Sequence, residues 1–148
     1  MVIIIGNGIS GVTAARYIRK RSDEEILIIS SESKYFFSRT ALMYVYMGHM
    51  KFEHTQPYEP YFWEKNRIGL KEGRVNSINT NNKSVILESG ETINYDSLVL
   101  ATGSKPNKFG WKGQDLKRVG GLYSKQDLEY LEKCSDGLKS AVIVGGGL

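Results

Sequence analysis

The stretch Val2-Ile3-Ile4-Ile5-Gly6-Asn7-Gly8-Ile9-Ser10-Gly11 decides the fold of this chain. Its four leading apolar residues predict a buried strand, and the glycines that follow predict a tight turn into a helix. Gly6 permits the turn, Gly8 lets a pyrophosphate approach the backbone, and Gly11 lets the helix lie close to the sheet. The N–H groups of the first helical turn are expected to bind phosphates. This stretch therefore predicts a dinucleotide site.

A second apolar strand, Ile26–Ile29, follows the predicted helix and leads to Glu32. Glu32 stands about 20 residues after Gly11, where an acidic side chain accepts hydrogen bonds from a ribose 2′-OH. Its negative charge disfavours a 2′-phosphate at the same place. The alternative is a glycine turn in some other α/β protein, with Glu32 merely solvated.

The composition excludes several classes of protein. The 148 residues suffice for one domain with a core, and the net charge of +4 comes from scattered basic residues, so we expect no nucleic-acid partner. No apolar run approaches the ~20 residues of a membrane span, and a strand starting at Val2 leaves no room for a signal peptide, which predicts a cytoplasmic protein. Cys134 is the only cysteine, and His49 and His54 fit no zinc pattern, so we expect neither a disulfide nor a metal site.

Aromatic residues are concentrated between Tyr35 and Trp63. Two interpretations remain open for this stretch: a local aromatic core, or a surface on which a planar ring system packs.

The other predicted elements are, in chain order, a helix from Arg39 to about Tyr46 ended by Gly48, a break at Pro57 and Pro60, an antiparallel meander within Val75–Tyr95, a buried parallel strand over Ser97–Ala101, and a helix over Gln126–Lys133 opened by the capping box of Ser124 and Asp127.

A second glycine turn lies at the end of the sequence. The apolar run Ala141–Val144 precedes Gly145-Gly146-Gly147, which predicts a second nucleotide site. We expect a dinucleotide-binding domain over residues 1–138 and the first strand and turn of another over 139–148. We also expect Ala141–Val144 to pair beside Ser97–Ala101, either within its own chain or swapped into a second copy as a homodimer.

The chain resembles the two-dinucleotide-binding-domain flavoproteins of the pyridine nucleotide–disulfide oxidoreductase superfamily. Three segments carry the resemblance: Val2–Gly11 with Glu32, Tyr95–Pro106, and Val142–Gly147. The resemblance implies an α/β, Rossmann-like FAD-binding domain with a parallel sheet and a small antiparallel meander. It implies FAD at the first site and NADH or NADPH at the second.

The resemblance also implies roles for particular residues. Those expected at FAD are Gly6, Gly8, Ile9, Ser10 and Gly11 at the pyrophosphate, Glu32 at the adenosine ribose, Val75 near the adenine, Arg39 near the pyrophosphate or flavin, and Ala101, Thr102 and Gly103 under the cofactor; Gly145 and Gly147 belong to the second site. Phe37–Leu42 contains no cysteine, unlike the disulfide reductases, and Tyr44 stands where related reductases often have a lysine near the flavin. The implied enzyme therefore passes hydride to the flavin and electrons to an external acceptor, a protein or a small molecule.

No side chain in the sequence is a convincing acid, base or nucleophile, so we predict no catalytic residue here and an inactive chain when isolated. Two alternatives remain. One is an ordinary nicotinamide-dependent dehydrogenase domain that uses Gly6–Gly11 for NAD. The other is a non-catalytic nucleotide-binding fragment.

Overall fold

The computed structural model describes residues 1–145 and has two sheets. The parallel sheet has the order β3-β2-β1-β7, and the antiparallel sheet has the order β4-β5-β6. The strands are β1 (Val2–Ile5), β2 (Ile26–Ser30), β3 (Ile68–Glu72), β4 (Val75–Asn79), β5 (Ser84–Leu87), β6 (Thr92–Asn94) and β7 (Ser97–Leu100). The helices are α1 (Ile9–Arg19), α2 (Leu42–Tyr46), α3 (Pro60–Lys65) and α4 (Lys125–Ser135), with single 3₁₀ turns at Arg39–Ala41 and Phe52–Thr55. The α/β class, the parallel sheet and the antiparallel meander predicted from the sequence are confirmed.

The parallel sheet separates two apolar layers because successive side chains of a strand point to opposite faces. Ile4 faces α1, where it joins a cluster that includes Val12 and Ala15. Ile3 faces the other way and joins Val85 and other side chains of the antiparallel sheet. A strand covered on both faces needs a continuous apolar sequence, which explains the unbroken run at Val2–Ile5.

The stretch between β2 and β3 forms an aromatic core with an exposed flank. Phe36, Phe37 and Trp63 are buried, whereas Tyr44 and Tyr61 are exposed. The core interpretation therefore holds for the first three residues.

Two features of the region from Pro60 to Glu72 differ from the sequence predictions. Pro60 does not break the chain but occupies the first turn of α3, where its missing N–H removes no helical hydrogen bond. The parallel strand β3 was not predicted, because Gly69, Lys71 and Glu72 interrupt its apolar character. An edge strand tolerates such residues, since one side of it is open.

The predicted capping box of α4 is confirmed. The Ser124 Oγ accepts a hydrogen bond from the Asp127 N–H at 3.0 Å, and the Asp127 carboxylate accepts one from the Ser124 N–H at 2.7 Å. Leu128 of α4 packs with Phe37 and Leu42, which ties this helix to the segment around α2.

The predicted strand Ala141–Val144 is wrong for the single chain. Within residues 1–145 this run forms no strand and does not pair with β7, and Val142 and Ile143 are 90% and 88% exposed. A strand is ordered only when ladder hydrogen bonds offset the lost backbone entropy. Tyr46, the end of α4 and Gly137 line one pocket. From Gly137 to Gly145 the chain has no neighbouring strand with which to form a ladder. The swapped pairing with a second copy stays a prediction.

Candidate functional site

The first glycine turn is packed so closely that two of its glycines cannot be replaced. Gly6 has a φ of +107°, and a Cβ built on it would overlap the carbonyl oxygen of Ala101. A Cβ on Gly11 would overlap the carbonyl oxygen of Gly6 and lie 3.3 Å from the Ala101 Cβ. The Ala101 N–H also donates to the Ile5 carbonyl at 2.8 Å. The turn and the end of β7 therefore form one rigid unit.

Gly8 differs from the other two glycines of the turn. A Cβ built on Gly8 would meet no atom of residues 1–145 within 4 Å, and its φ of −69° is accessible to any residue. Gly8 is the N-cap of α1, and in this described first turn no side chain caps the helix and no acidic residue is present. The positive end of the helix dipole thus faces open space, which is the arrangement that binds an anion. This space fits the pyrophosphate that the sequence predicts.

Asn7 connects this turn to the end of β2, a role that the sequence analysis missed. Asn7 is buried, its Nδ2 donates to the Ser33 carbonyl at 2.7 Å, and its Oδ1 accepts from the Ser30 Oγ at 3.0 Å. The Ser30 Oγ also accepts from the Glu32 N–H at 3.3 Å. The glycine turn and the backbone of Glu32 are therefore held by one hydrogen-bond network.

The Glu32 carboxylate is partly buried and already has several donors. Its Oε1 accepts from the Arg39 Nη1 at 2.9 Å and from the Lys125 N–H at 3.0 Å, and its Oε2 accepts from the Arg39 Nη2 at 2.6 Å. A carboxylate has about four lone-pair positions, so three of them are used. The predicted ribose ligand is thus also the residue that joins Arg39 to the start of α4.

Arg39 lies between Glu32 and Tyr123. It donates a second bond from Nη1 to the Tyr123 carbonyl, and its guanidinium carbon lies 4.5 Å from the centroid of the Tyr123 ring. The hydrogen bonds to Glu32 raise the pKa of Arg39. In this structure Arg39 therefore binds the Glu32 carboxylate and the Tyr123 backbone, just before α4.

Tyr123 is a second residue that sequence analysis did not identify. Its hydroxyl is 2.9 Å from the Ser104 Oγ and accepts from the Ser104 N–H at 3.4 Å, and these contacts lower the Tyr123 pKa. A Cβ on Gly103, whose φ is +73°, would lie 3.7 Å from the same hydroxyl. Tyr123 thus bridges the segment after β7 and the Arg39–Glu32 pair.

Val75 lies at the start of the antiparallel sheet, near the end of β2. The Gly73 N–H donates to the Ser30 carbonyl at 2.9 Å, which brings this connection against the carboxyl end of the parallel sheet. A pocket of about 350 Å³ opens there. Its lining residues are Ser30, Ser31, Glu72, Gly73, Arg74 and Glu88. Val75 itself does not line this pocket; it follows Arg74, which does.

The structure gathers most of the predicted site residues at the carboxyl ends of the parallel strands, where open α/β sheets bind ligands. The second glycine turn is not part of this group. Gly145 has a φ of +89°, and a Cβ built on it would meet no atom of the described residues within 4 Å; Gly147 lies outside the described residues.

Within residues 1–145, no helix has the length and apolar character needed to span a bilayer.

Comparison with protein families gives a match over the full chain. The family described as pyridine nucleotide-disulphide oxidoreductase matches residues 1–148. The chain belongs to this family. The family resemblance inferred from the sequence is therefore confirmed.

Individual members of the family are similar over nearly the whole chain. The ferredoxin–NAD(+) reductase component of the biphenyl dioxygenase system of Paraburkholderia xenovorans is 31% identical over 99% of this chain and 36% of its own length. An NADH oxidase of Methanocaldococcus jannaschii is 36% identical over 98% of this chain and 35% of its own length. The crystal structure of the NADH:rubredoxin oxidoreductase of Clostridium acetobutylicum superposes with a TM-score of 0.79 at 31% identity, over 89% of this chain and 34% of that one. The chain spans little more than a third of each of these relatives.

Proposed function

We propose that this chain binds FAD at the first glycine turn and forms the FAD-binding part of an NAD(P)H-dependent flavoprotein oxidoreductase that passes electrons to an external acceptor. The observation that carries the proposal is the open space in front of α1, at the same sheet edge as Glu32. Membership of the family supports it. So do the names of the relatives, which are a ferredoxin reductase, a rubredoxin reductase and an NADH oxidase.

The pyrophosphate of FAD would be held by the first turn of α1. Gly6 and Gly11 would keep the turn in shape, and the N–H groups of Ile9, Ser10 and Gly11 would donate to the phosphate oxygens. Gly8 would leave room for the phosphates, since nothing in the described part of the protein occupies the position of a side chain there.

Glu32 would accept hydrogen bonds from the adenosine ribose. Because three of its lone-pair positions are already used, two ribose hydroxyls cannot both bind unless Arg39 or the Lys125 N–H gives way. We infer that ribose binding competes with these donors. A guanidinium released from Glu32 would be a suitable ligand for phosphate oxygens.

The remaining predicted contacts are with the backbone. The chain at Val75 would lie near the adenine, which the pocket lined by Gly73 and Arg74 supports. Ala101, Thr102 and Gly103 would pass under the cofactor. Tyr123 would line the cofactor site next to Gly103, because its hydroxyl is bonded to Ser104.

The chemistry that FAD would supply when bound is acceptance of a hydride from a nicotinamide nucleotide and delivery of the electrons to an acceptor. We assign the residues of this chain binding and orienting roles only, and no residue a catalytic one. The acceptor would be an electron-transfer protein of the ferredoxin or rubredoxin kind, as in the names of the relatives, or a small molecule.

Several finer points remain proposals. Residues 1–138 would form the FAD-binding domain, and residues 139–148, with Gly145 and Gly147, would begin the nucleotide domain for NADH or NADPH. A cytoplasmic location and a homodimer stay predictions.

The test is a binding comparison on the purified chain. Titration with FAD, FMN and NAD, followed by flavin fluorescence or calorimetry, should give tightest binding for FAD, because FMN lacks the adenosine that Glu32 and the pocket would recognise. Preference for NAD would support an ordinary dehydrogenase domain instead. Failure to bind any of the three would leave a fragment without a nucleotide site. We expect the FAD-loaded chain to show no dye reduction with NADH or NADPH.

A further inference from the structure

Short stretches with an excess of basic residues occur at several places in the sequence, and one of them is an exposed loop, residues 105–118, which we call the basic loop. It contains Lys105, Lys108, Lys112, Lys117 and Arg118 but a single acidic residue, Asp115, and therefore carries a net charge of +4. Residues 16–21 carry the same net charge of +4, from Arg16, Arg19, Lys20 and Arg21. The five basic residues of the basic loop are all exposed.

The basic loop also exposes large apolar side chains. Phe109 and Trp111 are 69% and 56% exposed and stack on one another, with ring centroids 5.5 Å apart and planes inclined by 19°. Leu116 is 67% exposed. Single exposed apolar residues are common, whereas exposed apolar side chains that lie in contact with one another are a feature of interaction surfaces.

Local bonds hold the basic loop in shape. The Lys108 Nζ lies 2.7 Å from the Asp115 carboxylate, and the Leu116 N–H donates to the Gly113 carbonyl at 3.1 Å. The Arg118 N–H donates to the hydroxyl of Tyr130 on α4 at 3.0 Å. A loop that is already ordered loses little entropy when it binds.

We propose that the basic loop docks on an anionic lipid surface, with Phe109 and Trp111 entering the headgroup region. Aromatic side chains with surrounding lysines are the combination that binds at the interface of anionic membranes. Four of the five cations are lysines, which protein–protein interfaces disfavour and membrane-binding surfaces favour. This inference is independent of the FAD site, since it uses no residue assigned to that site.

The experiment uses the full chain and sedimentation with large vesicles of phosphatidylcholine, with or without about a third of phosphatidylserine. The two tryptophans make binding visible, because Trp111 is exposed and Trp63 is buried. We expect binding to the anionic vesicles only, with a blue shift of the tryptophan emission and quenching by brominated lipid. Raised salt should weaken the binding.

Two variants test the two parts of the surface. Lys112→Glu with Lys117→Glu should lower the apparent vesicle affinity at least tenfold, given the contribution of each basic residue near an anionic surface. Phe109→Asn should lower it severalfold, and asparagine tolerates the φ of +53° at this position. The matched control is Lys20→Glu with Arg21→Glu, which reverses two exposed charges beside the exposed ring of Tyr17. The control should bind as the unmodified chain does, and circular dichroism should show that all variants are folded.

Three results would overturn the proposal. One is equal binding to neutral and anionic vesicles, and another is equal loss in the control variant, which would mean diffuse charge attraction. The third is a failure of the Trp111 emission to shift while soluble polyglutamate binds with the same affinity as the vesicles. That result would assign the loop to an acidic protein partner instead.

Discussion

Val2–Ile5 and Ala141–Val144 are both four-residue apolar runs followed by glycines, yet among the described residues only the first forms a strand. β1 has parallel partners on both sides, with Ile3 opposite Leu27 of β2 and Leu98 of β7. Within residues 1–145, Val142 and Ile143 have no strand partner and are almost fully exposed. The same local pattern therefore specifies a strand only where the rest of the chain supplies partners.

The glycines of the two turns differ in the same way. Gly6 and Gly145 both have a positive φ, but a side chain on Gly6 would overlap Ala101 whereas one on Gly145 would meet nothing within 4 Å in the part of the chain that the structure describes. In the first turn, tertiary packing makes glycine obligatory. In the second, only the backbone conformation favours it. Substitutions in the two turns should therefore have different effects.

The largest effect is expected for Gly6→Ala. The added Cβ overlaps the Ala101 carbonyl and imposes a positive φ on a non-glycine residue, so the free energy of unfolding should fall by about 3 kcal/mol or more, enough to prevent folding of many domains. Gly145→Ala is the matched control and should change it by less than about 1 kcal/mol. Urea denaturation followed by circular dichroism measures both. Similar losses in the two variants would show that the turns are not different.

Gly8→Val should separate binding from folding. The open space and ordinary φ at Gly8 predict a folded variant. Its thermal unfolding temperature without ligand should fall only slightly, because valine is a poorer N-cap than glycine. The branched side chain fills the space proposed for the pyrophosphate. The sequence alone suggests that this change also strains the turn, but the φ of −69° removes that reason. We expect FAD affinity to fall by about a hundredfold or more, on the order of 3 kcal/mol. A folded variant with normal FAD affinity would show that the phosphates bind elsewhere.

Glu32→Ala should weaken FAD binding by about 1–3 kcal/mol, the range for hydrogen bonds to a charged acceptor. The change also removes the partner of Arg39, so the unfolding temperature without ligand must be measured beside the titration. Glu88→Ala is a suitable control, since Glu88 lines the neighbouring pocket but has no predicted ribose role. Equal FAD affinity in the Glu32 variant and the unmodified chain would remove Glu32 from the site.

Lys125→Pro should strengthen FAD binding. Lys125 is the first residue of α4, where proline is well accepted, and Ser124 before it is extended, as a residue before proline prefers. The change deletes the N–H that donates to the Glu32 Oε1 and frees a lone pair for the ribose. A gain of about fivefold is expected, near 1 kcal/mol. Lys125→Ala, which keeps the N–H, controls for loss of the side chain, and equal affinities in the two variants would contradict competition at Glu32.

The smallest effect is expected for deletion of residues 141–148. Because the described part of this run forms no strand and is exposed, its removal should leave the thermal unfolding temperature of the monomer unchanged. Sedimentation velocity on the same samples tests the swapped pairing. Loss of a dimer upon deletion would support that pairing and restore a structural role to the second apolar run.

The sequence predicts the features that depend on local pattern. Glycine spacing, apolar runs and the capping box of Ser124 identify the β1–α1 turn, the parallel sheet and the start of α4. These signals succeed because each reflects a local requirement. A turn with a positive φ favours glycine, and the first N–H groups of a helix need a capping side chain.

Local patterns do not predict contacts between segments that are far apart in the sequence. Glu32 meets the N–H of Lys125, 93 residues later in the chain, and Arg39 meets Tyr123, 84 residues later. Ordinary tyrosine and serine side chains at 123 and 104 carry no signal of the bridge they form. The burial of Asn7 was equally hidden, because its partners at β2 are known only once the strands are side by side.

An amide NMR spectrum of the ¹⁵N-labelled chain, recorded during titration with FAD, would locate the nucleotide site residue by residue. We propose that FAD binds at the first glycine turn and not at the second, which we assign to NADH or NADPH. We expect saturable shifts at Gly8, Ile9, Ser10, Glu32 and Gly103, with no change at Val142–Gly145. Shifts concentrated at Gly145, or an unchanged first turn of α1 at saturating FAD, would contradict this proposal.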